Sequence, residues 1–339
     1  MRLLCRGFSI TVLCVVFGLG CFLKFSVAGA KALTNEPGYD IIIIAGQSNA
    51  VGYGCGPFTD VTKKHDGRIF QLMPDETVVR AEEPLQHAYS RVGPGGKGFG
   101  MTFARLYAER LSLAGLSSTR KVLLVPVALG ATSIIQWDNV NEGIDFDPPF
   151  GKSGLPIRFD TTELHDTLIR QTRAALASGG GKSHNRIVAL LWHQGETDFM
   201  FMHLPSGKPH EKMPNIATYS ERLVKLMALL MTELPKDGPK DGPNTGASWP
   251  VIIGEIGEYL PIPGSPVVAE FNRALLPTVN LIGNAAMASA EGLLPGTTIR
   301  CSFGDSPQFP DGDPYHINSA GQVEFGRRYF KAYESLIGK

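Results

Sequence analysis

The sequence predicts a single α/β sandwich built on a parallel sheet, and three observations carry that expectation. Short apolar runs alternate with longer amphipathic ones along the chain, the rhythm of strands joined by crossover helices. Ile41-Ile42-Ile43-Ile44 sets four β-branched residues in a row, which suits a strand buried on both faces. The 339 residues show no domain-sized repeat. The Lys-Asp-Gly-Pro pair at 236–243, read as a domain linker, would leave too little chain behind it for a second core.

The strands expected from these runs are Tyr39–Ala45, Arg68–Leu72, Lys121–Leu129, Arg186–His193 and Pro250–Ile256. The expected helices are Met101–Leu116, Thr161–Ala177, Ile216–Leu234, Pro266–Leu276 and Ser319–Ile337. Each has apolar residues three and four apart, as in Leu223, Leu226, Leu229 and Leu230. Two long loops, Asn139–Pro156 and Phe199–Asn215, follow the third and fourth strands, at the sheet edge where open α/β proteins bind ligands.

Ahead of this domain, expected over residues 38–339, Arg2 and Arg6 precede an apolar run from Gly7 to Leu23, then Lys24 and Val27-Ala28-Gly29-Ala30. This is the layout of a secretory signal peptide over residues 1–30, with cleavage after Ala30. The run exceeds the usual apolar length of about 7–15 residues, so an uncleaved signal anchor is the second reading. Either one puts the domain outside the cytosol, secreted or lumenal, with membrane attachment only if the anchor is retained.

Hydrophobic residues at 43% and charged ones at 19% are too apolar for extended disorder and too polar for a multi-span membrane protein. Without the leader, 29 basic residues face 32 acidic ones, and no Lys/Arg-rich run occurs, which excludes a nucleic-acid partner. Cys5, Cys14 and Cys21 leave with the leader, and Cys55 and Cys301 remain, either paired or as two buried thiols. Neither has the spacing of a zinc site.

Three familiar motifs are absent. No Gly-x-Ser-x-Gly nucleophile elbow and no His-Glu-x-x-His occurs. Gly151-Lys152-Ser153 and Gly181-Lys182-Ser183 resemble the end of a phosphate loop, but the glycine required five residues earlier is Phe146 or Leu176. What remains is polar chemistry at strand ends: Gly46-Gln47-Ser48-Asn49-Ala50, Gly130-Ala131-Thr132-Ser133-Ile134 with Trp137 beyond, Trp192-His193-Gln194-Gly195-Glu196-Thr197-Asp198, and Asp313-Pro314-Tyr315-His316. In the last block Pro314 restricts Asp313 to extended geometry, a turn that can hold a carboxylate against an imidazole.

These blocks in this order resemble the SGNH (GDSL-like) hydrolases, and more narrowly the carbohydrate-esterase branch of sialate O-acetylesterases and acetylxylan esterases. Val92-Gly93-Pro94 and Phe103-Ala104 fit as well. The resemblance implies a three-layer α/β/α sandwich with a flavodoxin-like sheet. It implies Ser48 as nucleophile, His316 as base and Asp313 as its carboxylate, with the oxyanion held by the N–H groups of Ser48 and Gly130 and the amide of Gln194. His193, beside Gln194, and Glu196 read as residues that support the site from behind without touching substrate, and Glu196 and Asp198 as structural hydrogen-bonding residues. An acetylated carbohydrate is the implied partner, with no metal and no cofactor.

Two positions depart from the pattern: Gln194 stands where the superfamily uses Asn, and Ala131 where many relatives have Gly. Trp137 is either a platform for a sugar ring or core. Two rival functions remain open. A short-chain ester or lipid hydrolase would want a more apolar pocket than loops carrying Asp145, Asp147, Lys152 and His210. A catalytically silent carbohydrate-binding surface protein would have no need of Ser48, Asp313 and His316 together.

Overall fold

The four isoleucines at 41–44 are fully buried and alternate between two cores, Ile41 and Ile43 facing one and Ile42 and Ile44 the other. A strand with apolar residues on both faces needs helices on both sides, and that requirement sets the layers. In this computed structural model the described residues are 37–54, 66–89, 96–137, 163–179, 184–202, 215–235, 248–260, 268–296, 301–303, 306–309 and 313–338. The leader at 1–30, Cys55, Asp145, Asp147, Lys152, His210, the segment 92–94 and most of both long loops lie outside them, as does the side chain of Cys301.

The sheet strands are β1 (Gly38–Gly46), β2 (Ile69–Leu72), β3 (Val78–Arg80), β4 (Arg120–Pro126), β5 (Arg186–His193), β6 (Val251–Gly254) and β7 (Ala285–Ala288). Their order is β3-β2-β4-β1-β5-β6-β7. The helices are α1 (Ser48–Val51), α2 (Phe99–Leu113), α3 (Glu163–Ala177), α4 (Glu196–Met202), α5 (Ile216–Glu233), α6 (Val268–Ile282) and α7 (Ser319–Ile337). Leu164 and Leu168 of α3, Leu223 and Leu226 of α5 and Phe271 of α6 cover one face, while Phe103 of α2 and Phe325 and Tyr329 of α7 cover the other. The three-layer sandwich follows, and β4-β1-β5-β6-β7 has the flavodoxin-like order.

Three expectations need correction. The sheet is not wholly parallel, because β3 runs antiparallel to β2 at the edge, entered through a tight turn at Glu76 with φ +69°. The strand β7, Ala-Ala-Met-Ala, lacks the β-branched residues that betray strands in a sequence. Helix α6 does not stop at Leu276 but runs through Pro277 to Ile282. Pro277 gives up one helical hydrogen bond, and the continued burial of Thr278 and Val279 keeps the helix going. Beyond the sheet lie the short pairs β8 (Pro295–Gly296) with β11 (Asp313–Ile317), and β9 (Cys301–Phe303) with β10 (Ser306–Phe309).

At the amino end of the sheet, buried Asp40 registers the three central strands. Its carboxylate accepts hydrogen bonds from Arg120 of β4 at 3.1 Å, Arg186 of β5 at 2.7 Å and the Tyr107 hydroxyl of α2 at 2.8 Å. Arg120 donates in turn to the carbonyls of Tyr39 and His184. With this end locked, the carboxyl ends of β4, β1 and β5 stand side by side at the opposite edge. Asp40→Asn leaves two guanidinium groups without their counter-charge and is expected to cost about 3–5 kcal/mol in urea unfolding; a loss below about 1 kcal/mol would deny the lock its role.

Candidate active site

The site begins with a glycine. Gly46 ends β1 at φ +124°, and a Cβ there would lie 1.9 Å from the His193 carbonyl oxygen, so no other residue lets β1 turn this close to β5. The Gln47 N–H then bonds that same carbonyl at 2.8 Å, and Ser48 opens the single turn of α1, closed by Gly52 at φ +94°. Ser48 is 7% exposed. Among the described residues, its N–H and the N–H of Gly130 meet no acceptor, and the Ser48 hydroxyl makes no hydrogen bond. Links between a nucleophile and its base are often long before substrate binds.

Asp313 and His316 form a pair on β11. Asp313 is fully buried, and its Oδ2 meets His316 Nδ1 at 2.5 Å. Its Oδ1 accepts from the N–H groups of Tyr315 at 2.8 Å and His316 at 3.1 Å. The carboxylate thus folds its own backbone around itself and leaves Nε2 as the lone-pair nitrogen. Tyr53 brings the pieces together. Its ring packs edge-on against the His316 imidazole with centroids 5.1 Å apart. A Cβ placed on Gly130 would lie 3.4 Å from the Tyr53 ring and 3.6 Å from Ser48 Cβ. Burial pushes the Tyr53 phenol up to about 12, so it is neutral.

Asn49 fastens the Ser48 turn in two directions. Its Oδ1 accepts from the N–H of Ile317, next to His316, at 2.9 Å, and its Nδ2 donates to Glu196 Oε1 at 2.7 Å. Glu196 also meets His193 Nε2 at 2.6 Å. Burial works to raise the Glu196 carboxyl, but the facing His193 and the donors His193 and Asn49 hold it below its usual value. His193 and Glu196 thus brace Asn49 and the β5 end.

Gln194 itself is fully buried and differently engaged from the expectation. Its Nε2 faces three acceptors, the Thr132 carbonyl at 2.8 Å, Gln47 Oε1 at 3.1 Å and Asp198 Oδ2. Two amide hydrogens already serve three acceptors, so an oxyanion would have to displace one. Asp198 also accepts from the Ser133 hydroxyl and the Ile134 N–H, tying the Gly130 loop to α4. Trp137 is core: fully buried, it packs against Trp192 and donates to Thr132 Oγ1 at 3.0 Å. Ala131 sits at φ +58°, which gives the physical reason a glycine is favoured there. The parts played by Gln47, Tyr53 and Asn49 have no spacing signal, though Gln47 and Asn49 lie inside the Ser48 block. Among the described residues no cluster of three or more His, Cys, Asp or Glu side chains is placed to hold a metal ion.

An open, mostly parallel sheet with a serine, an Asp–His pair and, among the described residues, unpaired N–H groups at its carboxyl edge defines a hydrolase-type site. The chain belongs to the family described as carbohydrate esterase, sialic acid-specific acetylesterase, which it matches over residues 38–335. It is 27% identical over 183 residues to a "probable carbohydrate esterase" of Arabidopsis thaliana, a stretch covering 49% of this chain and 57% of that protein. The matched stretch thus spans little more than half of that relative's length. The X-ray structure of that Arabidopsis protein shares the fold, with a TM-score of 0.57 and 23% identity over 89% of this chain and 100% of the other. So does NanS, with a TM-score of 0.54, 18% identity, and coverage of 88% and 98%. A carbohydrate acetylesterase from Xanthomonas citri matches with a TM-score of 0.52 and 14% identity over 88% of this chain and 56% of its own.

Burial raises the Asp198 carboxyl from 3.8 to about 6, against the opposing hydrogen bonds from Ser133, Gln194 and Ile134. A raised acid binds its proton more tightly in the folded state. Its contribution to stability is therefore full below about pH 4 and is lost as pH rises through about 6. Asp198→Asn cannot ionise, and rotation of the Gln194 amide gives its NH₂ an acceptor. The fall in stability between pH 5 and 7.5, read from urea unfolding, should be smaller in Asp198→Asn than in the wild type. An identical fall in both would show that Asp198 does not titrate there.

Proposed function

We propose that this chain is a serine esterase that removes acetyl groups from a carbohydrate through an acyl-enzyme. The observation that carries the reading is the Asp313–His316 pair set against Tyr53, with Tyr53 and Ser48 both bordering Gly130. Membership of the carbohydrate esterase family supports it and points to sugars. In this reading Ser48 is the nucleophile, His316 its base and Asp313 the carboxylate behind the base, because a serine hydroxyl is a poor nucleophile until a base takes its proton.

Ser48 Oγ attacks the acetyl carbonyl carbon while His316 Nε2 accepts the hydroxyl proton. Asp313 fixes the imidazole tautomer and faces the imidazolium that forms. As the carbonyl oxygen becomes an oxyanion, the N–H groups of Ser48 and Gly130 donate to it, in a place where they have no competing acceptor. Gln194 is left out of this set because its hydrogens are committed. The C–O bond to the sugar then breaks, and His316 returns its proton to the sugar oxygen. Water repeats the sequence on the acetyl-Ser48 ester, releasing acetate. The segment 1–30 is proposed to send the domain into the secretory pathway, as a cleaved leader or a retained anchor.

Acetate release from acetylated sialic acid and acetylated xylan, with fluorophosphonate labelling mapped by mass spectrometry, tests the reading. Ser48→Ala should lower kcat by at least about 10³-fold and abolish labelling, with melting unchanged, because the hydroxyl makes no hydrogen bond among the described residues. Asp313→Asn should also be slow, since it favours the wrong tautomer. Activity surviving in Ser48→Ala would sink the mechanism. Sugar binding without turnover in the wild type would favour the silent binding protein, and turnover of simple esters but of no acetylated sugar would favour the general esterase.

A further inference from the structure

The side chain that Gly130 lacks leaves a space of defined size. A Cβ there would lie 3.4 Å from Tyr53 Cε2, 3.5 Å from the Tyr53 hydroxyl oxygen and 3.6 Å from Ser48 Cβ. These are ordinary carbon contact distances, so among the described residues the space admits one methyl group. The backbone of Gly130 is not in the left-handed region, so glycine is not needed there for its φ, unlike Gly46. Among the described residues nothing requires that space to be empty, and it lies beside Ser48.

We propose that this space is the acyl subsite and that the Tyr53 ring is its end wall, restricting the enzyme to two-carbon acyl groups. The proposal rests on the esterase reading above and adds to it the residue that sets acyl length. The acyl methyl of an ester at Ser48 stands three bonds from Ser48 Cβ, the distance at which the Gly130 space begins. With the oxyanion held between the Ser48 and Gly130 N–H groups and the leaving oxygen turned to His316, the methyl lies along the Gly130 backbone. A further methylene would run into the Tyr53 ring.

That ring has little room to retreat. Tyr53 is buried, its ring is packed in a T-shaped contact with the His316 imidazole, and Gly52 before it packs on Gly98, where a Cβ on Gly52 would lie 2.8 Å from Gly98 Cα. Pushing the ring aside would also move the imidazole. An oversized acyl group is therefore penalised twice, by overlap and by displacement of the base.

The test is kcat/KM of the full chain on 4-nitrophenyl acetate, propionate and butyrate, in the wild type and in Tyr53→Ala, Tyr53→Phe and Gly130→Ala. One unaccommodated methylene is commonly worth about 10-fold or more. The wild type should therefore prefer acetate to butyrate by at least about 10-fold, and Tyr53→Ala should raise the butyrate-to-acetate ratio by a similar factor. Tyr53→Phe keeps the ring and should keep the ratio. Gly130→Ala retains the N–H and meets only ordinary contacts, so it should melt like the wild type yet lose acetate turnover by about 10-fold or more. A butyrate-to-acetate ratio unmoved in Tyr53→Ala, or in Tyr53→Leu if the alanine variant does not fold, overturns the proposal, as does full acetate turnover in Gly130→Ala. A wild type inactive on every ester would instead strike the esterase reading, while one equally active on all three would strike only the acyl wall.

Discussion

One side-chain amide holds this site together. Asn49, the residue after Ser48, accepts from the backbone beside His316 and donates to Glu196 at the end of β5. Its partners are 268 and 147 residues away in sequence. Without those bonds the turn carrying Ser48 would be tied to the sheet only through Gly46 and Gln47. The segment carrying His316 would meet it, among the described residues, through bonds from further along the chain, Ser319 Oγ to the Gly54 carbonyl and Gln322 Nε2 to the Asn49 carbonyl. An amide suits the task because it is donor and acceptor at once, and at 1% exposure it works without competition from water.

The rigidity behind Asn49 comes from layers of different chemistry. Two apolar cores clamp β1 from both faces, and Asp40 fixes its register with β4 and β5 at the far end. At the near end the sheet stops in a buried polar shelf: Gln47, Asn49, His193, Gln194, Glu196 and Asp198 are all at most 2% exposed. Such a shelf is costly unless its groups are paired. Most are, yet His193 Nδ1, Gln194 Oε1, Glu196 Oε2 and Thr197 Oγ1 have no protein partner among the described residues. Local rules are broken beneath Ser48, the pattern of a site that gives up stability for position. Ala131 at positive φ belongs to the same pattern.

Much of this was legible in the residues, and the limits have physical causes. The isoleucine run announces a strand buried on both faces because β-branching and continuous apolarity admit few alternatives. Asp313 and His316 were legible because their partnership is local, set by three residues of spacing and a proline. The partners of Gln194 were not legible, because an amide's role depends on which acceptors surround it, and Thr132, Gln47 and Asp198 arrive from three segments that only the fold assembles. Tyr53 was silent for the same reason: its neighbours His316 and Gly130 are distant in sequence and share no pattern with it. The antiparallel edge strand β3 is too short, at three residues, to show a period. Helix α6 shows the converse, where burial of Thr278 and Val279 overrides a proline that reads locally as a stop.

The central claim is that the fold exists at this edge to hold Ser48 in register with His316 through Asn49. The most direct measurement is kcat for acetate release by Asn49→Leu, normalised to the Ser48 sites titrated by a fluorophosphonate, so that only folded molecules count. A misplacement of about 1 Å between nucleophile and base commonly costs about 10²-fold, and the account predicts a loss of that order with KM little changed. A kcat within about threefold of the wild type per titrated site would contradict it.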